Sequence, residues 1–137
     1  MDYISLFHEV LNDDGILIIE VPHAQDFLLD KLNVQAFKDF TLWSEHLILH
    51  TKKSLEVFVT SKDQFKLLEM KGFQRYPLSN HLHWLSKGEP GGHEKWSIIT
   101  SKELDIAYKK KLNSINRTDT LIAIAEGRNM NFLLDRF

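Results

Sequence analysis

The fold class is decided by the stretch Leu11-Asn12-Asp13-Asp14-Gly15-Ile16-Leu17-Ile18-Ile19-Glu20-Val21-Pro22. Its first part has the composition of a tight turn, because Asn and Asp favour turns and Gly15 can adopt a positive φ. The six residues that follow Gly15 are nearly all apolar, and Pro22 ends the run. Such a run predicts a strand that is buried on both faces, which is typical of parallel strands between helices.

The flanking residues predict helices on both sides of this strand. Apolar residues at helical spacing predict a short amphipathic helix over 2–11. Residues 23–50 follow no single period, and we interpret them as a short helix and then an irregular aromatic-rich segment. Thr51 can cap a helix over Lys52 to Ser61. Phe65 to Gln74 fits either a helix or a strand, and the bounding Gly72 and Pro77 favour a strand.

The second half of the chain begins with an unusual composition. Tyr76 to Trp96 is rich in histidine, tryptophan and glycine, which favours a shaped loop or a short helix with a loop. Thr100 and Glu103 form a capping-box pattern for a helix that extends to about Ile115. A turn at 116–119 and a buried strand at Thr120 to Ala125 follow. The α/β domain is therefore expected over 1–125, and 126–137 is expected to be a tail.

Composition excludes several classes of function. The chain has 137 residues, 43% of them apolar, which suits one globular domain. It has no cysteine, which excludes disulfides, thiolate metal sites and cysteine nucleophiles. The net charge of −2 argues against a general nucleic-acid surface. The longest apolar run has only the residues 121–125, so we expect no membrane span, and without a signal-peptide pattern we expect a cytoplasmic protein.

Three groups of residues could carry chemistry. In Glu45-His46 the imidazole can take a proton near neutral pH and the carboxylate can orient it, but a surface pair is an equally simple interpretation. His81 and His83, with the more distant His46, His50 and His93, could bind a metal ion, form hydrogen bonds to a polar ligand, or belong to a packed loop. The segment Gly88 to Gly92 could cradle an anion, and a plain turn is the alternative.

Several segments, taken in order, resemble one enzyme family. Leu11 to Pro22 looks like the late motif of class I S-adenosylmethionine-dependent methyltransferases, with Asp13-Asp14 where those enzymes usually have proline and glycine. Trp43-Ser44-Glu45-His46-Leu47 with Thr51-Lys52-Lys53-Ser54-Leu55 resembles the Glu-His-Leu segment and capped helix of its sugar and surface-polysaccharide subgroup. The segments 74–85 and 87–93 look like a block from one branch of that subgroup.

The resemblance implies the C-terminal half of a Rossmann-like methyltransferase sheet with flanking helices, starting at the helix before the fifth of seven strands. That family holds its cofactor with a glycine-rich turn and an acidic residue. Nothing in this chain matches either, so we expect a fragment or a chain whose other half is supplied elsewhere. Binding of S-adenosylmethionine by this chain alone is therefore doubtful.

The same resemblance assigns site residues. It makes His46 the general base and Glu45 its orienting partner, both catalytic. The acceptor, a sugar-like or other small polar molecule, would contact eight residues, namely His23, Gln74, Arg75, Tyr76, Asn80, His81, His83 and Trp84.

Two other functions stay open at this stage. One is a non-enzymatic module that binds a carbohydrate or a protein, and the other is a histidine-coordinated metal protein, although no strong metal signature is present. A half sheet would also expose an edge and an apolar face, which favours a partner chain or self-association.

Overall fold

The computed structural model describes residues 3–12, 15–43, 46 and 48–128, which form a mixed α/β structure. The chain begins with helix α1 (Tyr3–Val10) and strand β1 (Ile16–Pro22). A π-helix (Phe27–Lys31), α2 (Gln35–Thr41), α3 (Lys52–Thr60) and β2 (Phe65–Phe73) follow. The remaining elements are α4 (Leu78–Lys87), α5 (Gly92–Lys95), a 3-10 helix (Ser97–Ile99), α6 (Lys102–Ser114) and β3 (Thr120–Gly127).

The three strands form one sheet in the order β1-β3-β2. The amide of Gly127 donates to the carbonyl of Gly15, and that of His23 donates to Asp119, so β3 runs antiparallel to β1. At β2 the amide of Arg128 donates to the carbonyl of Gln64, and Thr118 lies against Gly72, so β3 is antiparallel to β2 as well. The two outer strands therefore run in the same direction with an antiparallel strand between them.

Strand β1 exists as predicted, but its predicted surroundings are wrong. We expected burial on both faces and a parallel neighbour, whereas its neighbour β3 is antiparallel and its residues alternate between exposed and half-buried. Ile18 is 64% exposed and Ile16 46%. The physical reason is that the face of β1 that carries Ile16 and Ile18 is not covered by the described residues, and an apolar run in sequence does not reveal whether anything covers a strand's second face.

The described residues divide into two compact units, each with its own buried side chains. The first comprises the described parts of 3–20, 52–71 and 122–128, and buries Ile4, Leu55, Val59, Phe65, Ala123 and Ala125. The second comprises the described parts of 21–51 and 72–121, and buries Leu28, Leu29, Trp84, Leu112 and Leu121. Helix α3 thus buries the apolar residues Leu55 and Val59, and strand β3 buries Ala123 and Ala125.

Two local expectations need correction, and two others agree with the structure. The π-helix and α2 lie in the segment where a short helix was expected, and α4 with the residues after it matches the second interpretation of the histidine-rich segment, a short helix with a loop. Helix α6 is capped by Ser101, not Thr100: the Ser101 hydroxyl accepts from the amide of Leu104 at 3.2 Å. Thr100 instead donates its hydroxyl hydrogen to the carbonyl of Ser97. Strand β3 continues to Gly127, two residues into the expected tail.

Among the residues that the structure describes, no helix is both long and apolar enough to cross a bilayer.

Candidate functional site

The candidate site lies in the second unit, where Gln74 and Asp119 bind each other reciprocally. Gln74 directly follows β2, and its amide nitrogen donates to Asp119 Oδ2 at 2.9 Å. The backbone amide of Asp119 donates back to Gln74 Oε1 at 3.1 Å. The backbone amides of Arg75 and Tyr76 also donate to the Asp119 carboxylate, at 3.0 and 3.2 Å. Asp119 is therefore held by four donors or acceptors on the segment that leaves β2.

His81, on α4, extends this network to α6. Its Nδ1 lies 2.6 Å from the hydroxyl oxygen of Tyr108, and its Nε2 makes a longer contact of 3.4 Å with the amide nitrogen of Gln74. The two hydrogens of that nitrogen are donated to Asp119 Oδ2 and to the carbonyl of Tyr76, at 2.9 and 3.0 Å, so the contact with Nε2 is the weaker one and the short bond to Tyr108 is what holds the His81 ring. Burial lowers the pKa of His81 to about 4, so the ring is neutral at neutral pH.

A second carboxyl group, that of Asp26, is almost completely buried, with 1% of its surface exposed. Its Oδ1 caps the π-helix by accepting from the amides of Leu28 and Leu29 at 2.7 and 3.0 Å. Burial raises the pKa of Asp26 to about 7, against the lowering effect of those two hydrogen bonds, and the negative charge of Asp119 raises it further. Asp26 therefore changes charge near neutral pH.

The pKa values of Asp119 and Tyr108 are raised, like that of Asp26. Burial raises the pKa of Asp119, and the hydrogen bonds from the segment after β2 lower it in part. Burial also raises the pKa of Tyr108, and the charges of Asp26 and Asp119 add to that effect. Both carboxylates thus act on the Tyr108 hydroxyl, which lies in a negative electrostatic field.

His23 connects the end of β1 to this region. It is fully buried, its amide donates to the carbonyl of Asp119 at 2.9 Å, and its Nδ1 donates to the carbonyl of Thr118 at 2.9 Å. This bond fixes the hydrogen on Nδ1 in the neutral ring. His23, Asp26 and Gln74 all follow the carboxyl ends of β1 or β2, and Asp119 precedes β3, so the strand directions gather these residues.

The remaining predicted acceptor residues form other contacts in the same unit. The ring of Tyr76 lies 5.4 Å from that of His93, whose Nδ1 is 3.4 Å from Oδ1 of Asn80. His83 donates from Nδ1 to the carbonyl of Glu89 at 2.9 Å. The indole of Trp84 packs against Phe37 and Phe40. Asn80, His83 and Trp84 are buried, so helix packing accounts for much of what they do.

His46 has its own surroundings. Its Nδ1 donates to the carbonyl of Thr41 at 3.0 Å, and its ring lies edge-on to Trp43. Among the described residues, hydrogen bonds and ring contacts join Gln74 and His81 into one network but do not join His46 to it. Glu45, the predicted orienting partner, lies outside the described residues.

Asp26, Asp119 and Tyr108 are site residues that the sequence reasoning missed. Asp119 lies in the turn predicted at 116–119, Tyr108 lies in the helix predicted to extend to about Ile115, and no pattern singles out Asp26. The one available signal for Asp26 was its position shortly after a strand and before an apolar helix, which suits an N-cap. Nothing local indicated that these three residues would meet.

The structure bears on the predicted metal site and on the glycine-rich segment. The described residues include no group of three or more histidine, aspartate or glutamate side chains placed to hold a metal ion. Within the glycine-rich segment, Gly92 is closely packed, since a Cβ there would lie 2.3 Å from that of His83. Gly88 ends α4 in the left-handed conformation. Gly92 thus serves helix packing and Gly88 a helix end.

Comparisons with known proteins add no assignment: neither the family models scanned nor the curated proteins searched gave a match to this chain.

Proposed function

We propose that this chain forms the acceptor-binding part of an S-adenosylmethionine-dependent methyltransferase that acts on a sugar-like or other small polar acceptor. The observation that carries the proposal is the strand order β1-β3-β2 with an antiparallel last strand in the middle. Class I methyltransferase sheets end in this manner, with the seventh strand antiparallel between the fifth and the sixth. The order supports the resemblance of the sequence motifs, which begins at the helix before the fifth strand.

The position of the polar network supports the same proposal. In open α/β sheets, ligands bind beyond the carboxyl ends of the parallel strands. Here the two outer strands run in the same direction, and His23 and Gln74 follow them directly. Two of the predicted acceptor residues, His23 and Gln74, thus follow the carboxyl ends of these strands, which supports the proposal.

His46 is our proposed general base. Because Nδ1 donates to the carbonyl of Thr41, Nε2 is the nitrogen that is left to accept a proton from the acceptor. S-adenosylmethionine, when bound, supplies a methyl group from its sulfonium. The family's glycine-rich turn and acidic residue have no counterpart in this sequence, and we therefore derive no step through the cofactor from this chain.

Turnover tests the role of His46. We expect His46→Ala to lower methyl transfer by roughly 10²–10⁴-fold when the chain is assayed together with a cofactor-binding half of the proposed family, since a positioned base contributes that range. The matched control is His8→Ala, which removes a histidine of the first unit that contacts the carbonyl of Arg128. Unchanged turnover in the His46 variant, with label from methyl-labelled cofactor as the readout, would remove His46 from the mechanism.

Cofactor binding gives a separate test. Isothermal titration calorimetry of the 137-residue chain with S-adenosylmethionine should show little or no binding, because the family's glycine-rich turn and acidic residue have no counterpart in its sequence. Tight binding would contradict our assignment of the cofactor contacts.

One observation favours a second function, a non-enzymatic carbohydrate-binding module. Tyr76 is 43% exposed beside His93, and an aromatic face next to polar groups suits a sugar ring. This function predicts that the chain binds methyl pyranosides without cofactor and that Tyr76→Ala removes binding in saturation-transfer NMR. Tyr3→Ala, at a more exposed tyrosine of the first unit, is the matched control.

We further propose a cytoplasmic location, since the chain carries no cysteine. The exposed Ile16 and Ile18 on the outer strand β1 support association with a partner chain or a second copy. The proposed acceptor is a small molecule, and the charge of −2 gives no reason to expect a nucleic acid.

A further inference from the structure

One face of the three-stranded sheet carries apolar side chains that the described residues leave uncovered. The hydrogen bonds between the strands place Ile18 beside Ile124, and Ile124 beside Leu68, in one row across the sheet. Ile18 is 64% exposed and Leu68 48%, and Ile124 is only half-buried although it lies on the central strand. With the rows on either side, the apolar residues of this open sheet face are Ile16, Ile18, Leu68, Met70, Ile122 and Ile124. A contiguous apolar surface of this kind is normally covered in a folded protein.

The opposite face of the same sheet is already packed. Phe65, Ala123 and Ala125 point to that face, because their positions alternate with those of the open sheet face, and each is at most 1% exposed. The ring of His8, on α1, lies edge-on to that of Phe65 with 5.7 Å between the ring centroids. Helix α1 therefore lies against the packed face, and the open sheet face is the one that can take a further segment.

The segment that follows β3 has the sequence pattern of an amphipathic helix. Residues 129–137 lie outside the described residues, so the pattern is read from the sequence. Met130, Leu133, Leu134 and Phe137 follow the spacing i, i+3, i+4, i+7, which places all four on one side of a helix. Asn129, the residue before this run, is of a type that caps helices. The segment therefore has an apolar side that needs a surface to cover.

The position and length of this segment suit the open sheet face. The segment begins after Arg128, whose amide donates to the carbonyl of Gln64 at 2.8 Å, so its starting point is fixed at the end of the central strand. A helix over 130–137 is about 12 Å long. Ile124 precedes Arg128 by about 13 Å of strand. A helix that folds back along β3 would therefore bring Phe137 to the row that contains Ile124.

We propose that residues 129–137 form an amphipathic helix that covers the open sheet face, with Met130, Leu133, Leu134 and Phe137 against the sheet. Direct attachment to β3 favours this occupant over a separate chain, because a short tether gives an effective concentration in the millimolar range. The helix lies on the face of the sheet and leaves the outer backbone edge of β1 to the partner association proposed above. The inference does not rest on the proposed function.

NMR of the full 137-residue chain tests the contact directly. With labelled isoleucine and leucine methyl groups, we expect nuclear Overhauser contacts from the Phe137 ring to the methyl groups of Ile18 and Ile124. Phe137→Ala should remove these contacts and shift both methyl signals, because the ring current is lost. Phe132→Ala is the matched control, since Phe132 lies on the other side of the predicted helix and its loss should leave both signals in place.

A double-mutant cycle tests the energetic coupling. We expect Leu133→Ala and Ile18→Ala together to raise the equilibrium constant of unfolding by less than the product of their separate effects, by a factor of about three or more. The control cycle pairs Phe132→Ala with Ile18→Ala, and its two effects should multiply. Ile18 is exposed in the described sheet and the other substitutions lie after it, so each variant keeps the packed face intact.

Three outcomes would overturn the proposal. The first is the absence of contacts between Phe137 and the sheet methyl groups. The second is a Leu133 and Ile18 cycle whose effects simply multiply, as in the control. The third is contacts that arise only between differently labelled copies in a mixed sample, which would assign the open sheet face to a second copy of the chain.

Discussion

At the residue scale, Gly92 shows how closely α5 approaches α4. A Cβ at this position would lie 2.3 Å from Cβ of His83 and 2.5 Å from the carbonyl oxygen of Ser79. Neither atom is the end of a flexible side chain, so the two helices would have to separate. This close approach allows His93, the next residue, to reach Asn80 and Tyr76.

We therefore expect Gly92→Ala to destabilise the chain by about 1–3 kcal/mol, the range of forced overpacking in a filled interior. Gly127→Ala is the matched control, because the nearest atom to its added Cβ would be 4.0 Å away. Urea unfolding followed by circular dichroism measures both. A Gly92 variant as stable as the control would show that α5 can shift without cost.

At the element scale, the residue that caps α6 is not the one that the capping-box motif predicts. The sequence offers Thr100 and Glu103 as a capping box, but the Ser101 hydroxyl is the group that accepts from the helix, at the amide of Leu104. The Thr100 hydroxyl is already engaged with Ser97, at the end of the 3-10 helix. Adjacent hydroxyl residues carry the same local signal, and the preceding turn decides between them.

Ser101→Ala should cost about 1 kcal/mol of stability, the usual value for removal of an N-cap hydroxyl. Thr100→Ala should cost less than Ser101→Ala, because its hydroxyl serves one turn of 3-10 helix. Thermal unfolding of the two variants side by side gives the comparison. A larger loss of stability in the Thr100 variant would indicate that Thr100 caps α6, as the sequence pattern predicts.

Elements could be predicted wherever the signal is local. The apolar run of β1, the periodicity of α3 and the apolar strand β3 each depend on residues next to one another, and the structure has all three. The candidate site could be predicted only in part. Asp26, Tyr108 and Asp119 come from three separate segments, and only the sheet order and helix packing bring them together. The spacing of residues within one segment does not predict these contacts between segments.

At the scale of the whole molecule, Asp26 and His81 make opposite contributions to stability over nearly the same pH range. The folded state raises the pKa of Asp26 from 3.8 to about 7, so it binds a proton that the unfolded state has released. The stability from this group is present below about pH 4 and is lost as the pH rises towards 7. The folded state lowers the pKa of His81 from 6.5 to about 4, so its stability is present above 6.5 and is lost as the pH falls towards 4.

In the wild type these two contributions partly cancel between pH 4 and 6.5. In Asp26→Asn the contribution of His81 to the pH dependence of stability should remain without that of Asp26. We expect the variant to lose stability more steeply than the wild type as the pH falls through this range, since each group contributes up to about 1.4 kcal/mol per pH unit. Urea unfolding at half-unit steps of pH gives the curve of stability against pH for the wild type and for the variant. Asp30→Asn, in the same π-helix, is the control for loss of a carboxylate. The difference between wild type and variant should stop changing above about pH 7, where Asp26 is ionised in the folded state too. Parallel curves would mean that Asp26 titrates at the same pH in the folded and unfolded chains, which its burial and its single capping oxygen argue against.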